Sequence, residues 1–406
     1  NNLSLEGKRK EIQRSKYGVS ENRSKLLPQI NAIAGYSNNF DPPVSVTDGS
    51  SYGVPYNITQ TLQHSANAGL EMQMPLFNQT LYTSMSIAKV MEEISRLSYG
   101  KAREDVILQI SKMYYLGQVT AEQIMLIKAN ITRLEELRDI TQAFFDNGMS
   151  MEVDLKRVNI NLENLKVQYD NAQAMMKQQL NMLKYIMDYP AEKEIALTPV
   201  NTDSITTVAL TGLSENIYEL QLSQSQVQLA ERQKKIITNG YIPSLSLTGS
   251  WRYAAYTDKG YHWFHSGPSN QWFRSYGVGL TLRIPIFDGL DKTYKIKKAM
   301  IDIENKRLAW EDARKNLQTQ YLNAVNDLMN NQRNFKKQKD NYLLAEDVYA
   351  VTSDRYREGI ASMTEVLQDE MQMSEAQNNY ISAHYNYRVT NLMLLKLTGQ
   401  IESLVK

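Results

Sequence analysis

Residues able to bind a metal or to catalyse a reaction are few in this chain. Cysteine is absent, which removes a thiolate nucleophile, a thiolate metal site and a disulfide framework. Of the four histidines, His64, His262, His265 and His384, only His262 and His265 have the spacing of metal ligands. No carboxylate pair or thiolate lies near them in sequence, so we interpret both as surface-loop residues. Glycine-rich phosphate motifs and a Ser/His/Asp grouping are also missing. The sequence therefore predicts no enzyme, no cofactor and no metal site.

Methionine offers one further chemical reading. Met175, Met176, Met182 and Met187 fall within one predicted helix, and thioethers can pass a soft ion such as copper. At helical spacing, however, methionine more commonly packs in the seam between helices. We favour packing and keep metal transfer as the alternative.

The composition limits the partners and the membrane class. The net charge of +1 gives no argument for binding nucleic acid. No run approaches 18 consecutive apolar residues, so we expect no transmembrane helix, whereas alternating strands of a membrane β-barrel stay possible. Residues 1–5 already fit a helical pattern, so we expect further residues to precede Asn1 in the natural protein.

The elements that position any functional residue occur twice. Pro28 and Pro243 each open an alternating segment and lie 215 positions apart. Met74-Pro75-Leu76-Phe77-Asn78 and Ile284-Pro285-Ile286-Phe287-Asp288 each close a strand region. Gly148 and Gly359, 211 positions apart, each interrupt a long helical run. A duplication on this scale predicts two similar units about a pseudo-symmetry axis.

The predicted boundaries follow from this duplication. The first structural repeat covers 1–190, with a helix, strands 29–37 and 65–76 joined by a long polar loop, and helices 78–145 and 151–188. A linker with a short strand at 195–197 covers 191–213. The second repeat covers 214–400, with a helix, strands 244–254 and 272–284, and helices 290–357 and 362–398. Residues 401–406 are predicted as a C-terminal tail.

The return helices carry a heptad seam in both repeats. The first seam is Leu155, Val158, Leu162, Leu165, Tyr169 and Ala172. The positions 211 residues later are Val366, Asp369, Met373, Ala376, Tyr380 and Ala383, of which five are apolar or aromatic. Within one chain these long hairpins have nowhere to bury their seams, so we expect the seams to pack against neighbouring copies.

The strands alternate and are about ten residues long, which is enough to cross a bilayer with tilt. Their polar face includes Glu71, Arg252 and Arg283, which we expect to face a lumen, and aromatic residues near one strand end fit a membrane girdle. The alternative is a soluble β-layer with one face on a core. Four strands are too few to close a barrel around a pore, and unpaired strand edges are too costly in lipid. We therefore expect three copies to supply twelve strands.

These residues together resemble the TolC-type outer-membrane efflux channel family. The matching segments are Leu27-Pro28-Gln29-Ile30 and Ile242-Pro243-Ser244-Leu245 before strands, Pro75-Leu76-Phe77-Asn78 and Pro285-Ile286-Phe287-Asp288-Gly289 at strand-to-helix junctions, Phe145-Asp146-Asn147-Gly148 and Tyr356-Arg357-Glu358-Gly359 at hairpin tips, and Leu-Leu-Lys-Leu-Thr-Gly at 394–399. The resemblance covers nearly the whole chain.

The resemblance implies a mainly α fold with a small antiparallel β part. It implies a homotrimer whose 12-stranded β-barrel in the outer membrane of a Gram-negative bacterium continues into a periplasmic α-helical barrel. It implies an exit channel of a tripartite efflux system that contacts outer-membrane lipid, a periplasmic adaptor and an inner-membrane pump of the RND or ABC type. The alternatives are the outer-membrane channel of type I protein secretion and, in another class, a soluble coiled-coil scaffold.

The resemblance also implies a periplasmic gate at the hairpin tips. The gate residues fall on Asp146, Tyr356 and Glu365, and the adjacent positions on Phe145, Gly148, Arg357, Gly359, Gln368 and Asp369. The arginine that the family's best-known member has two residues after the tip glycine is Ala361 here. Three Glu365 side chains around one narrow lumen would favour cations. The alternative is that these carboxylates are ordinary solvated residues of the tip.

Overall fold

The computed structural model describes residues 2–48, 50, 53–60, 62–199, 212–257 and 272–405. His262 and His265, and the parts of the predicted linker and loop at 200–211 and 258–271, lie outside the described residues. The chain forms two compact units. We call 1–12, 95–224 and 308–406 the hairpin unit, and 13–94 and 225–307 the sheet unit.

Six α-helices and six strands are found in the described residues. The helices are α1 (Leu3–Ser24), α2 (Gln79–Asp146), α3 (Glu152–Met187), α4 (Tyr218–Asn239), α5 (Asp291–Arg357) and α6 (Met363–Leu397), followed by a 3-10 helix at Ile401–Val405. The strands are β1 (Gln29–Asn38), β2 (Val44–Asp48), β3 (Tyr56–Gln60), β4 (His64–Phe77), β5 (Ser244–Thr257) and β6 (Trp272–Arg283). No described helix combines the length and the apolar character that crossing a membrane requires.

Two local predictions are wrong. The segment between β1 and β4, predicted as a loop, contains the antiparallel pair β2–β3, with Val44 opposite Gln60 and Asp48 opposite Tyr56. The alternation of Val44 and Val46 with polar neighbours favours this short ladder. The predicted strand at 195–197 is irregular, with no ladder partner in the part of the chain that the structure describes.

The sheet unit contains a four-stranded antiparallel sheet in the order β1-β4-β5-β6. The register pairs Gln29 with Gln73 and Ser244 with Arg283. The strand ends that connect to α1, α2, α4 and α5 therefore all lie at the same end of the sheet, across the strands, which we call the helix-side edge. Among the described strands, β1 pairs with β4 alone and β6 with β5 alone, so one side of each outer strand pairs with no described strand. An unpaired strand edge presents backbone donors and acceptors that bind another strand.

One face of this sheet is apolar and uncovered. Cross-strand rows place Trp251 beside Tyr276 and Leu247 beside Leu280. Tyr276 is 77% exposed and Val278, two residues further along β6, is 80% exposed. A soluble layer resting on a core would bury this face, so the sheet unit by itself disfavours that alternative.

The hairpin unit buries residues of both heptad seams in one cluster. Val158, Leu162 and Leu165 of α3 and Val366 and Met373 of α6 belong to the same set of buried side chains. Helices α2 and α5 complete it, and they contribute Leu134, Leu137, Tyr349 and Tyr356.

The expectation that these seams need neighbouring copies is therefore wrong. Each hairpin is the partner of the other within one chain, because duplicated seams of the same phase can pack face to face. The expectation of further copies therefore rests on the edges of the sheet alone.

Candidate functional site at the hairpin tips

Both hairpin tips end their first helix in the same way. Gly148 has φ of 74° and Gly359 has φ of 73°, in the left-handed region that glycine adopts without a Cβ clash. The Met149 N–H donates to the Phe144 carbonyl at 2.8 Å, and the Ile360 N–H donates to the Arg355 carbonyl at 2.8 Å. These hydrogen bonds close each helix with the same C-terminal motif, so the duplication holds at the level of single hydrogen bonds.

The second helices begin differently. Met151 precedes α3 without a side-chain cap, whereas Ser362 and Glu365 form a reciprocal capping box at the start of α6. The Ser362 N–H and hydroxyl donate to one Glu365 carboxylate oxygen at 2.7 and 2.9 Å. These two hydrogen bonds, the backbone one first, hold the pKa of Glu365 below its ordinary value, with a smaller contribution from Arg355. Glu365 is exposed and stays ionised at neutral pH.

Tyr356 lies between the two hairpins. It is 6% exposed, and its ring centroid is 5.6 Å from that of Phe144. Its hydroxyl donates to the Thr141 hydroxyl oxygen at 3.3 Å, and Thr141 in turn donates to the Leu137 carbonyl at 2.7 Å. Tyr356 therefore connects α5 to α2 through an aromatic contact and one hydrogen bond.

The pseudo-symmetry does not hold for this side chain. Phe145 stands 211 positions before Tyr356, yet it is 38% exposed. Sequence reasoning missed Phe144 and Thr141 as partners of Tyr356. Thr141 and Phe144 stand four and seven residues after Leu137, on the face of α2 that points into the cluster, and this spacing is the signal that could have found them.

The remaining predicted gate residues have separate partners. Asp146 is exposed and accepts a hydrogen bond from the Gln142 side chain at 2.8 Å. Arg357 pairs with Glu136 of α2 at 3.4 Å and with Asp354 at 3.3 Å. Gln368 is exposed and Asp369 is half-buried on the first turns of α6. The structure brings these groups to one end of the hairpin unit, but it does not pair Asp146 with Tyr356.

Polar contacts continue between the hairpins beyond the tips. Arg133 of α2 contacts Glu346 of α5 at 2.5 Å, and the buried amide of Asn130 donates to Gln377 of α6 at 2.7 Å. Glu370 is buried with one carboxylate oxygen lacking a hydrogen-bond partner among the described residues. Burial raises the pKa of Glu370. The interface between the hairpins is thus part apolar and part polar.

The three residues predicted to face a lumen, Glu71, Arg252 and Arg283, all lie on the polar face of the sheet. Arg252 of β5 donates to Glu71 of β4, and the two lie diagonally across neighbouring strands. Arg283 ends β6 at the helix-side edge, opposite Ser244. Like Glu71 and Arg252, it falls on the face opposite the apolar rows.

The described histidines have structural partners. His64 is hydrogen-bonded to the Tyr36 hydroxyl at 2.8 Å across β1 and β4. His384 is buried and accepts from the Arg388 guanidinium at 3.0 Å. No cluster of three or more His, Asp or Glu side chains suited to a metal occurs in the described part of the chain. At the tips, the described contacts of Tyr356 and Arg357 hold α5 against α2.

Comparison with known proteins defines the class. The family model for outer membrane efflux proteins matches residues 1–187 and 209–400. The chain belongs to this family, whose members reside in the outer membrane of Gram-negative bacteria.

Two curated relatives and one solved structure illustrate the similarity. Outer membrane protein TolC of Vibrio cholerae is 21% identical over 399 residues, covering 94% of this chain and 84% of the relative. The probable efflux pump outer membrane protein TtgC of Pseudomonas putida is 23% identical, covering 88% of this chain and 75% of the relative. The open state of the Neisseria gonorrhoeae MtrE outer membrane channel superposes with a TM-score of 0.78 at 18% identity, covering 98% of this chain and 86% of that one. The last comparison concerns the fold alone.

Proposed function

We propose that this protein is the outer-membrane exit channel of a tripartite efflux system. In this role three copies join their sheets into a 12-stranded barrel, and their hairpins form the periplasmic tunnel. An inner-membrane pump of the RND or ABC type delivers small molecules through a periplasmic adaptor. The channel itself performs no covalent chemistry.

The uncovered apolar face of a sheet with two free edges carries this proposal. In lipid each unpaired backbone group costs several kcal/mol, so an open four-stranded sheet needs neighbours on both sides. A closed ring of sheets satisfies β1 and β6 at once and turns the exposed Tyr276 and Val278 toward lipid. A water-soluble scaffold leaves both features unexplained. The relative TtgC is named as a probable efflux pump outer membrane protein, which supports efflux as the process.

We propose further that the hairpin tips form the gate. Asp146 and Glu365 are exposed carboxylates at the tips, and Tyr356 fixes one tip to the other within each chain. Exposed polar contacts contribute about 0–1 kcal/mol each. A few of them per chain, repeated in three chains, suffice to hold a constriction shut and still yield to an adaptor.

Reconstitution into planar lipid bilayers tests the proposed function. We expect stepwise, cation-selective currents from protein purified out of the outer-membrane fraction, with low conductance in the absence of adaptor. Glu365→Gln should reduce the preference for cations, because it removes a ring of negative charge. Protein that folds in water without detergent and produces no conductance steps contradicts the proposal.

A further inference from the structure

At the end of the sheet unit where α4 and α5 meet the sheet, the exposed side chains change in character from one position along the chain to the next. Beyond the apolar rows of β6, the exposed side chains are apolar first, at Ile286, Phe287 and Leu290. An exposed aromatic residue, Tyr294, follows, flanked by the ion-paired Asp291 and Lys295, and the exposed cations Lys297 and Lys298 come next. Apolar, aromatic and basic residues succeed one another in this order where a protein passes from a bilayer into water.

A groove between α4 and α5 collects the cations at this level. Its volume is about 1010 Å³, and the ammonium-bearing side chains that line it are Lys234, Lys235 and Lys297. Met300 and Ile301 line the part farther along α5 from the sheet. The groove therefore places three positive charges next to the helix-side edge.

Nearby carboxylates do not neutralise these three lysines. Glu231 in the groove wall is already paired with Arg307 at 2.8 Å, and Glu304 is the remaining acidic residue of the lining. Among the described residues, no carboxylate lies within ion-pair distance of Lys234, Lys235 or Lys297. By contrast, Lys292 and Lys295 in the first turns of α5 each have a carboxylate partner.

Lys292 and Lys295 are the paired lysines of these turns. Lys292 is 2.9 Å from the Asp288 carboxylate and 5.0 Å from the centre of the Tyr241 ring, and Lys295 is 2.8 Å from Asp291. The contacts of Lys292 join the residues that follow α4 to the start of α5.

Lys298 is also exposed and has no carboxylate at ion-pair distance among the described residues, but it does not line the groove. Lys297 lies 5.5 Å from the centre of the Tyr294 ring. The groove is therefore where three lysines without a carboxylate partner lie together.

The lysines of the groove lie at the distance from the sheet where lipid headgroups are expected. Lys235 lies four residues before the end of α4 at Asn239, and Lys297 lies six residues after the start of α5 at Asp291. At about 1.5 Å per residue these offsets are about 6 and 9 Å. Both fall within a Debye length of about 8–10 Å from the helix ends that adjoin the sheet.

The first repeat lacks this feature. The strand-closing prolines relate Lys297 and Lys298 to Ile87 and Ala88, 210 positions earlier, and the strand-opening prolines relate Lys234 and Lys235 to Val19 and Ser20. The lysines are therefore a property of the second repeat and not a consequence of the duplicated fold. One groove per chain is the expected number.

We propose that this groove binds the headgroup phosphate of an anionic phospholipid in the periplasmic leaflet of the outer membrane. Lys234, Lys235 and Lys297 contact the phosphate, and the acyl chains lie toward the exposed Leu290 and Phe287. The inference rests on the proposed function, since it requires the sheet to span the membrane. It adds a lipid class and a site that the fold alone does not specify.

Native mass spectrometry of the detergent-solubilised protein tests the site. Phosphatidylglycerol is the anionic probe and phosphatidylcholine the zwitterionic one, each added at equal concentration. We expect the wild type to retain phosphatidylglycerol preferentially. The triple variant Lys234→Gln, Lys235→Gln, Lys297→Gln should lose that preference, by a factor on the order of tenfold to hundredfold, given roughly fivefold for each lysine at an anionic lipid surface.

A matched variant controls for the change in net charge. Lys315→Gln, Lys336→Gln, Lys337→Gln removes the same charge from exposed positions farther along α5, at least 18 residues beyond Lys297, and should bind lipid as the wild type does. Arginine at the three groove positions should restore binding if the triple glutamine variant folds poorly. Excess inorganic phosphate should compete weakly, because a free phosphate has no acyl chains.

The outcomes separate the site from the channel. Equal retention of phosphatidylglycerol by the wild type and the groove variant, or equal retention of both lipids by the wild type, overturns the lipid site. Conductance of the same preparations is measured in parallel. A conducting channel without lipid preference refutes this inference alone, whereas protein that never inserts into bilayers refutes the proposed function.

Discussion

Tyr356 offers the sharpest perturbation of the tips, because its environment fixes the expected size of the effect. Tyr356→Ala removes a ring that is 6% exposed and packed beside Phe144, together with the hydroxyl bonded to Thr141. Removal of a buried aromatic side chain typically costs about 3–5 kcal/mol. The tip is one end of the cluster, where neighbours can relax, so we expect about 3 kcal/mol.

If the tip opens by separating the hairpins, most of this contact is lost in the open state. A loss of about 3 kcal/mol then shifts the closed-to-open equilibrium of one chain by about two orders of magnitude, at about 1.4 kcal/mol per tenfold change. We expect Tyr356→Ala to raise the resting single-channel conductance in planar bilayers without adaptor. In cells it should also increase the entry of large antibiotics.

Phe145→Ala is the matched control for lost packing, since it changes the pseudo-equivalent residue, which is 38% exposed. It should cost less than about 1 kcal/mol and leave the thermal stability of the hairpin unit almost unchanged. Unchanged conductance in a folded Tyr356→Ala channel would refute the argument that the buried ring holds the tip closed.

Three further predictions concern single groups. Asp146→Ala combined with Tyr356→Phe should raise single-channel conductance, since it removes two polar contacts of up to about 1 kcal/mol each, and unchanged conductance would reject Asp146 as part of the gate. Ser362→Ala should destabilise the start of α6 by about 1 kcal/mol, measured by thermal melting, and should bring the pKa of Glu365 up toward its ordinary value; identical melting would disprove the capping role. Burial, reinforced by Glu402 and Asp105 and opposed by Lys396, raises the pKa of Glu104 from 4.5 to about 7. Between pH 4.5 and about 7 the folded protein therefore binds more protons than the unfolded chain, so its stability falls as pH rises through this window. Glu104→Gln should stabilise the protein by up to about 3 kcal/mol above pH 7 and give no gain near pH 4. Equal melting curves of the variant and the wild type at pH 8 would contradict this.

Periodic features could be predicted from the sequence because they are set locally. The heptad phase of the return helices identifies the buried faces at Val158 and Val366, and the tip glycines identify the two C-terminal caps. Strand alternation identifies the two faces of the sheet. Each of these depends on side-chain direction along a single element, which spacing alone determines.

The choice of partner could not be predicted in the same way. The seams of the two repeats pack against each other within one chain. The heptad spacing of a helix shows which of its faces is buried, but not which other helix covers that face. Tyr356 is buried while Phe145 is exposed, although both stand before a tip glycine. That difference arises from the shape of the neighbouring helices, which a repeat comparison cannot resolve. The β2–β3 pair was missed because its strands of five residues each are short and lie among prolines and glycines.

The capping box shows a signal that was present but not used. Ser362 and Glu365 have the Ser-x-x-Glu spacing that marks a helix start. The resemblance directed attention to Glu365 as a gate carboxylate, whereas the structure shows that it also caps α6. A residue at such a position can stabilise its helix and still contribute charge to a lumen.

The mass of the protein in detergent tests the central claim most directly, because the free edges of β1 and β6 are the reason that further copies are required. Native mass spectrometry of protein extracted from the outer membrane should give three times the mass that the same preparation shows for a single chain after denaturation. A folded species at the mass of one chain, stable in water without detergent, would contradict the account.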